Sequence, residues 1–204
     1  MKKRYLFKID VWFLTIIFIL LSIVYNSFFS LAIFYLVTFI HELGLFLFAK
    51  LFNVKCYKIN FHPLGFSLEM ENISFIKPYK QLLILLGGPL TFFVNLIIIS
   101  ILFKFNLLSI YQYNIAIENN LSLLIFNMIP FYPLDGGRIL EVILFNYMDS
   151  KKTKYTILII SSLISIILLI LCLLNNQILL FVFILYSLIS SILFFNKEYN
   201  QYLY

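Results

Sequence analysis

Residues 28–50 read FFSLAIFYLVTFIHELGLFLFAK, an apolar run interrupted by one ionisable pair, His41 and Glu42. A helix needs roughly 20 mostly apolar residues to cross the hydrocarbon core of a bilayer, so the stretch predicts a membrane span. Of the 9 acidic residues, only Glu42 falls in the middle of such a run. A carboxylate and an imidazole at membrane depth are costly and mark a functional site by default. The plainer alternative is a buried His–Glu pair that ties helices together. At 1.5 Å per residue, His41 lies about 13 Å from the Lys50 end of the run.

Outward from this stretch the pattern repeats. Apolar spans are expected at about 10–25, 28–50, 81–103, 115–132, 155–174 and 177–195, each near the length a crossing helix needs. The turns Asn26-Ser27 and Asn175-Asn176 are so short that they make helical hairpins. The apolar stretch from Ile139 to Met148 is too short to span, and a short interfacial or buried helix is expected there. The fold class is therefore an all-α polytopic membrane protein with six transmembrane helices, a single membrane-embedded domain over residues 1–204.

Composition agrees. The chain has 204 residues, 63% hydrophobic and 12% charged, with mean hydropathy +1.01. A soluble domain is typically about 45–50% apolar and about 25% charged. A cytosolic enzyme, a secreted disulfide scaffold and a disordered tail are excluded. Cys56 and Cys172 form no metal-type spacing. The net charge of +6 is not a nucleic-acid footprint, because the basic residues sit in short loops between spans, where they set topology. With the N terminus inside, Lys104 is the only one of the 15 Lys and Arg on the outside. Both termini and the 51–80 loop are thus expected in the cytoplasm of a multi-pass cell-membrane protein. The basic start, Lys2-Lys3-Arg4, is followed by an apolar stretch with no small-residue cleavage site, which favours an uncleaved first span over a signal peptide.

Two more clusters stand out. Residues 127–138 read NMIPFYPLDGGR. Its prolines and glycines break the helix near membrane depth, which is tolerated only where protein buries the backbone or a wet cavity receives it. The alternative is a simple loop ending the span. Gly87-Gly88-Pro89 lies inside the 81–103 span, where small residues also serve as a kink or a close-packing point.

Thr38 to Lys50, with His41-Glu42-Leu43-Gly44, resembles the metal-binding helix of the site-2 protease family. Asn127 with Pro133-Leu134-Asp135-Gly136-Gly137-Arg138 resembles that family's second motif, and Pro63-Leu64-Gly65 and Gly87-Gly88-Pro89 with Asn95 fit its order and spacing. The resemblance covers about residues 28–145, and six spans with a short first hairpin look most like the subgroup of stage IV sporulation protein FB. It implies an intramembrane zinc metalloendopeptidase that cleaves membrane-tethered proteins, such as a sporulation precursor, with membrane-protein regulators as possible partners and the lipid bilayer as surroundings; no nucleic acid is involved. His41 would be the first zinc ligand, Glu42 the general base and Asp135 the third ligand, with Asn127, Pro133, Leu134, Gly136, Gly137 and Pro89 shaping the substrate cleft. His41, Glu42 and Asp135 are expected to converge in one cavity.

The chemistry explains these residue types. A catalytic zinc takes three protein ligands and leaves one position for water. Two His at i and i+4 face one side of a helix, with a Glu beside the first acting as base. The metal lowers the water's pKa and polarises the scissile carbonyl. Here the second ligand position is Leu45, which has no donor atom, and the chain's 2 histidines are His41 and His62. Zinc, expected for the family, should be bound weakly or not at all. His62, Cys56, Glu69 and Glu71 are the candidate substitutes in the following loop. A natural loss of catalysis, a deliberate inactivation and an altered ligand set all account for Leu45. A catalytically inactive pseudoprotease or substrate-binding membrane protein is the alternative function. A small transporter would explain Glu42 but not the Pro-Leu-Asp-Gly-Gly motif.

Overall fold

The structure, a computed structural model, describes residues 28–62, 65–132 and 134–175, together with 184, 185, 188, 189 and 192. The first expected span, most of the sixth, and Pro63, Leu64 and Pro133 lie outside the described residues. Helix α1 is Phe28–Leu51, followed by strands β1 (Cys56–His62) and β2 (Gly65–Met70) and a 3₁₀ turn at Ile73–Phe75. Helices α2 (Pro78–Lys104), α3 (Ile110–Met128), α4 (Asp135–Phe145) and α5 (Ser150–Leu174) complete the order.

The sequence marks most of the helix ends. Both α1 and α2 stop at an asparagine in the left-handed region, Asn53 with φ 58° and Asn106 with φ 57°. Behind each, the chain closes a Schellman motif. Val54 N–H donates to Ala49 O at 2.9 Å and Asn53 N–H to Lys50 O at 3.1 Å; Leu107 and Asn106 donate to Leu102 and Phe103 at 3.0 Å each. Pro78 opens α2, where its missing N–H costs nothing. Ahead of α3, Ser109 and Gln112 form a reciprocal capping box, with bonds of 2.9 and 3.3 Å.

Among the described residues, α1, α2 and α5 are long and apolar enough to cross a membrane. The expected 28–50, 81–103 and 155–174 spans are these helices, each slightly longer. The expected 115–132 span is shifted to α3, Ile110–Met128, because Pro130 stops the helix early. The short helix expected at 139–148 begins instead at Asp135, on the Asp-Gly-Gly sequence itself.

The all-α expectation needs one correction: the fold is mostly helical, and the expected 51–80 loop holds an antiparallel hairpin. Tyr57 to His62 and Phe66 to Glu71 alternate polar and apolar residues, the period of a half-buried strand. The register runs from Lys58 opposite Glu69 through Ile59–Leu68 and Asn60–Ser67 to His62 opposite Gly65, with an irregularity between Cys56 and Lys58. Gly65 takes φ +115°, and a Cβ there would lie 3.0 Å from the Thr38 side chain. Phe61 and Phe66 pack on Tyr35 of α1 at 5.1 and 6.3 Å between ring centroids, and Phe66 on Phe39 at 5.1 Å. The hairpin therefore runs back beside α1 instead of leaving it.

The chain divides into two compact units, residues 1–75 with 86–124, and residues 76–85 with 125–204. In the first, α1 and α2 touch backbone to backbone, since a Cβ on Gly44 would collide with the Gly87 carbonyl. In the second, α5 buries Thr153, Ile157, Ser161, Ser165 and Cys172, a four-residue spacing that places most of them on one face.

Candidate active site

The first unit holds His41 and Glu42. His41 is 5% exposed, and a Cβ on Gly88 would collide with its ring. The glycine is therefore what lets the imidazole lie against α2. A cavity of about 10 Å³ opens beside it, lined by His41, Gly88, Pro89, Thr91, Asn120 and Leu124 among others, which is about the room one water needs. Pro89, expected at the cleft, thus sits next to His41. Thr91 Oγ1 donates to Gly88 O at 2.6 Å. Asn95 Nδ2 donates to Asn120 Oδ1, and Asn120 Nδ2 donates to Phe92 O, both at 3.1 Å. This buried network ties α2 to α3 on the rim of the cavity.

Glu42 is half-buried, and its Oε2 accepts the main-chain N–H of Leu68 at 2.8 Å. Leu45, one turn beyond His41, is 3% exposed. Residues at i and i+4 share a helix face, so an apolar side chain fills the place where the metal chemistry asks for a second imidazole.

The second unit holds Asp135, 6% exposed, in the first turn of α4, where a carboxylate complements the helix dipole. Arg138 Nη1 lies 3.8 Å from its Oδ1. Gly136 and Gly137 are buried, and a Cβ on either would run into the main chain at Met128–Ile129 or Phe131–Tyr132. The glycines let the broken end of α3 fold directly onto the start of α4. Leu134 takes the extended conformation before α4, with its N–H on Phe131 O at 2.9 Å. Tyr132 N–H donates to Ser161 Oγ at 3.0 Å, and Ser165 Oγ donates to Ser161 O at 2.6 Å. Asn127 is half-buried in the last turn of α3.

Residue-by-residue reading missed three contributors: the Leu68 amide, Asn120 and Ser161. Asn120 carried a signal, since Glu118-Asn119-Asn120 is a polar cluster inside an expected span. The Leu68 amide carried none, because every non-proline residue has one. As to substitutes for Leu45, His62 ends β1 opposite Gly65. Burial pushes the Cys56 thiol up from its ordinary range, so little of it is the thiolate that metals require. Glu69 pairs with Lys58 at 3.5 Å on the exposed side of the hairpin.

A membrane-length helix carries the His41–Glu42 pair, and Asp135 stands at the start of a second helix; proteins similar to this chain say which class shares that frame. A family model described as peptidase family M50 matches residues 104–172. The solved site-2 protease from Methanocaldococcus jannaschii superposes with a TM-score of 0.70 and 30% identity, covering 88% of this chain and 84% of that one. The chain belongs to the site-2 protease family. It is also 36% identical over 141 residues to zinc metalloprotease MJ0392 of the same archaeon, covering 65% of this chain and 41% of that protein. Stage IV sporulation protein FB of Bacillus subtilis matches at 25% over 117 residues, 57% of this chain and 41% of that one. The chain thus spans about two-fifths of the curated relatives it matches, and the sporulation likeness is the more distant one.

The family implies zinc, and the described residues do not gather a complete ligand set for it. A catalytic zinc takes three protein ligands. Helix α1 supplies the His41 imidazole, but the buried Leu45 offers no donor. Among the described residues, no group of three or more His, Cys, Asp or Glu side chains gathers to hold a metal.

Proposed function

We propose that this chain does the work of an intramembrane metalloendopeptidase of the site-2 protease type up to the point of hydrolysis. It receives a membrane-tethered protein in a membrane-embedded cleft, and Leu45 leaves the metal-dependent step incomplete. In this reading the chain is one membrane-embedded domain of six spans with both termini in the cytoplasm. His41 and Asp135 are two of the three ligands, Glu42 is the base, and Asn127, Pro133, Leu134, Gly136, Gly137 and Pro89 shape the cleft. Other membrane proteins regulate it. The observation that supports the reading is helix α1, of membrane length, which carries His41 and Glu42 side by side and buries Leu45 one turn on.

The experiment is zinc content and cleavage of a membrane-tethered substrate, measured on detergent-purified protein with and without Leu45→His. The substitution puts an imidazole on the face His41 already occupies. Stoichiometric zinc and cleavage are expected only with Leu45→His, with zinc lost on adding Asp135→Ala and cleavage lost on adding Glu42→Gln. Zinc that is unmoved by Asp135→Ala would remove that residue from the ligand set.

A second reading, hydrolysis by the chain unaided, is favoured by Glu42 standing beside His41. It requires another donor in place of position 45. Stoichiometric zinc and Glu42-dependent cleavage in the Leu45 protein would establish it over the first.

A further inference from the structure

Glu42 has a partner that hydrolysis does not call for. β2 pairs with β1 along one edge, with Ile59 opposite Leu68 and Asn60 opposite Ser67. In an antiparallel pair, successive residues turn their main-chain groups alternately toward and away from the partner strand. The Leu68 N–H goes to Glu42 Oε2 at 2.8 Å, so at this residue the outer edge of β2 faces α1. Phe66, on the same edge, sits against Phe39 and Tyr35, and Gly65 packs on Thr38. Tyr35, Thr38, Phe39 and Glu42 follow one another at helical spacing on a single face of α1. The aromatic contacts give area but tolerate sliding. Glu42 supplies a hydrogen bond, which is directional where the ring contacts are not.

We propose that Glu42 is the latch of the Cys56–Met70 hairpin: its carboxyl oxygen accepts the chain's own Leu68 amide, and that bond must break for the hairpin to lift from α1. The latch accounts for a carboxylate at membrane depth whether or not a metal is bound. It makes the hairpin a strap over the residue that the family's chemistry would use.

The test is hydrogen exchange on the full chain in lipid nanodiscs, with trypsin cleavage after Lys58 as a second readout. Loss of the acceptor for a part-buried main-chain amide is costly enough that Glu42→Ala should speed exchange across 58–69, and cleavage with it, by about tenfold or more. Glu42→Gln keeps an acceptor oxygen and should stay within about threefold of the unaltered protein. Amides of α2 and α3 should not change. If Glu42→Ala opens those helices as well, the decision passes to Leu68→Pro. That variant deletes the donor, leaves α1 untouched and costs no ladder bond, because the N–H faces away from β1. It is expected to open the hairpin to the same extent. Acceleration confined to the Leu68 amide in Glu42→Ala, or full protection of the hairpin in Leu68→Pro, would overturn the latch. The readout is hairpin opening, not zinc or cleavage, so its failure leaves the proposed function standing, and the reverse also holds.

Discussion

Gly44 and Gly88 meet different kinds of neighbour, and that difference is measurable. A Cβ on Gly44 would collide with the Gly87 carbonyl, which belongs to a helix backbone, whereas one on Gly88 would collide with the His41 ring. A backbone cannot turn aside; an imidazole can. Alanine gains about 1 kcal/mol of helix propensity over glycine, so the sign rests on the clash. Gly44→Ala is expected to destabilise by about 1–3 kcal/mol, the usual cost of overpacking, and Gly88→Ala by less. Thermal unfolding of the purified variants checks the order, and equal losses would show His41 to be held as rigidly as the helix itself. At this scale the sequence was informative wherever chemistry demands a residue type. His41 and Gly88-Pro89, singled out by residue type, do lie side by side, and Leu45 stood out because zinc needs a donor atom that leucine lacks. The partner of Glu42 was not readable, since it is a main-chain amide with no signature of its own.

Between residues and the whole chain stand the elements, and the break between α3 and α4 depends on its neighbour α5. Pro130 ends α3 and leaves Tyr132 with a main-chain N–H that no helix satisfies; Ser161 Oγ accepts it at 3.0 Å, on a side chain 1% exposed. An unsatisfied buried donor costs about 1–3 kcal/mol. Ser161→Ala should therefore destabilise by that amount, and faster hydrogen exchange should appear at Tyr132 before it appears in α5. Uniform acceleration along α5 would instead mean that Ser161 matters for packing alone. Helices α1, α2 and α5 were legible because length and hydropathy suffice for them. The hairpin was hidden because the lysines and the Pro63-Leu64-Gly65 sequence of the 51–80 segment read as a cytoplasmic loop. Its period-2 alternation was the signal, and what makes it a structure is Tyr35 and Phe39 on α1, which offer Phe61 and Phe66 a surface.

For the molecule as a whole, the positive-inside rule makes a prediction that hydropathy alone does not: one more crossing, between Lys104 and Lys151. Helix α1 carries Lys50 at its C-terminal end, and α5 carries Lys151, Lys152 and Lys154 at its N-terminal end. Helix α2 has Lys80 in its first turn and Lys104 in its last. If basic ends face the cytoplasm, α1 runs inward, α2 runs outward to Lys104, and α5 starts again from inside. The chain must then return across the bilayer between Lys104 and Lys151. Helix α4 has 11 residues and is too short, which leaves α3, whose 19 residues reach about 28 Å at 1.5 Å per residue, close to the roughly 30 Å hydrocarbon core. Its polar residues lower its hydropathy, yet two of them bond to neighbouring helices: Asn119 Nδ2 reaches Ser30 Oγ at 3.2 Å, and Asn120 reaches Asn95 and Phe92. Side chains used in this way hold a bundle together inside lipid. With Cys56 and Cys172 replaced by serine, a cysteine at Lys104 should react with an impermeant maleimide from outside intact cells. One at Lys151 should react only after permeabilisation. Labelling of both from the same side would mean that α3 does not cross and that the basic residues do not set this topology.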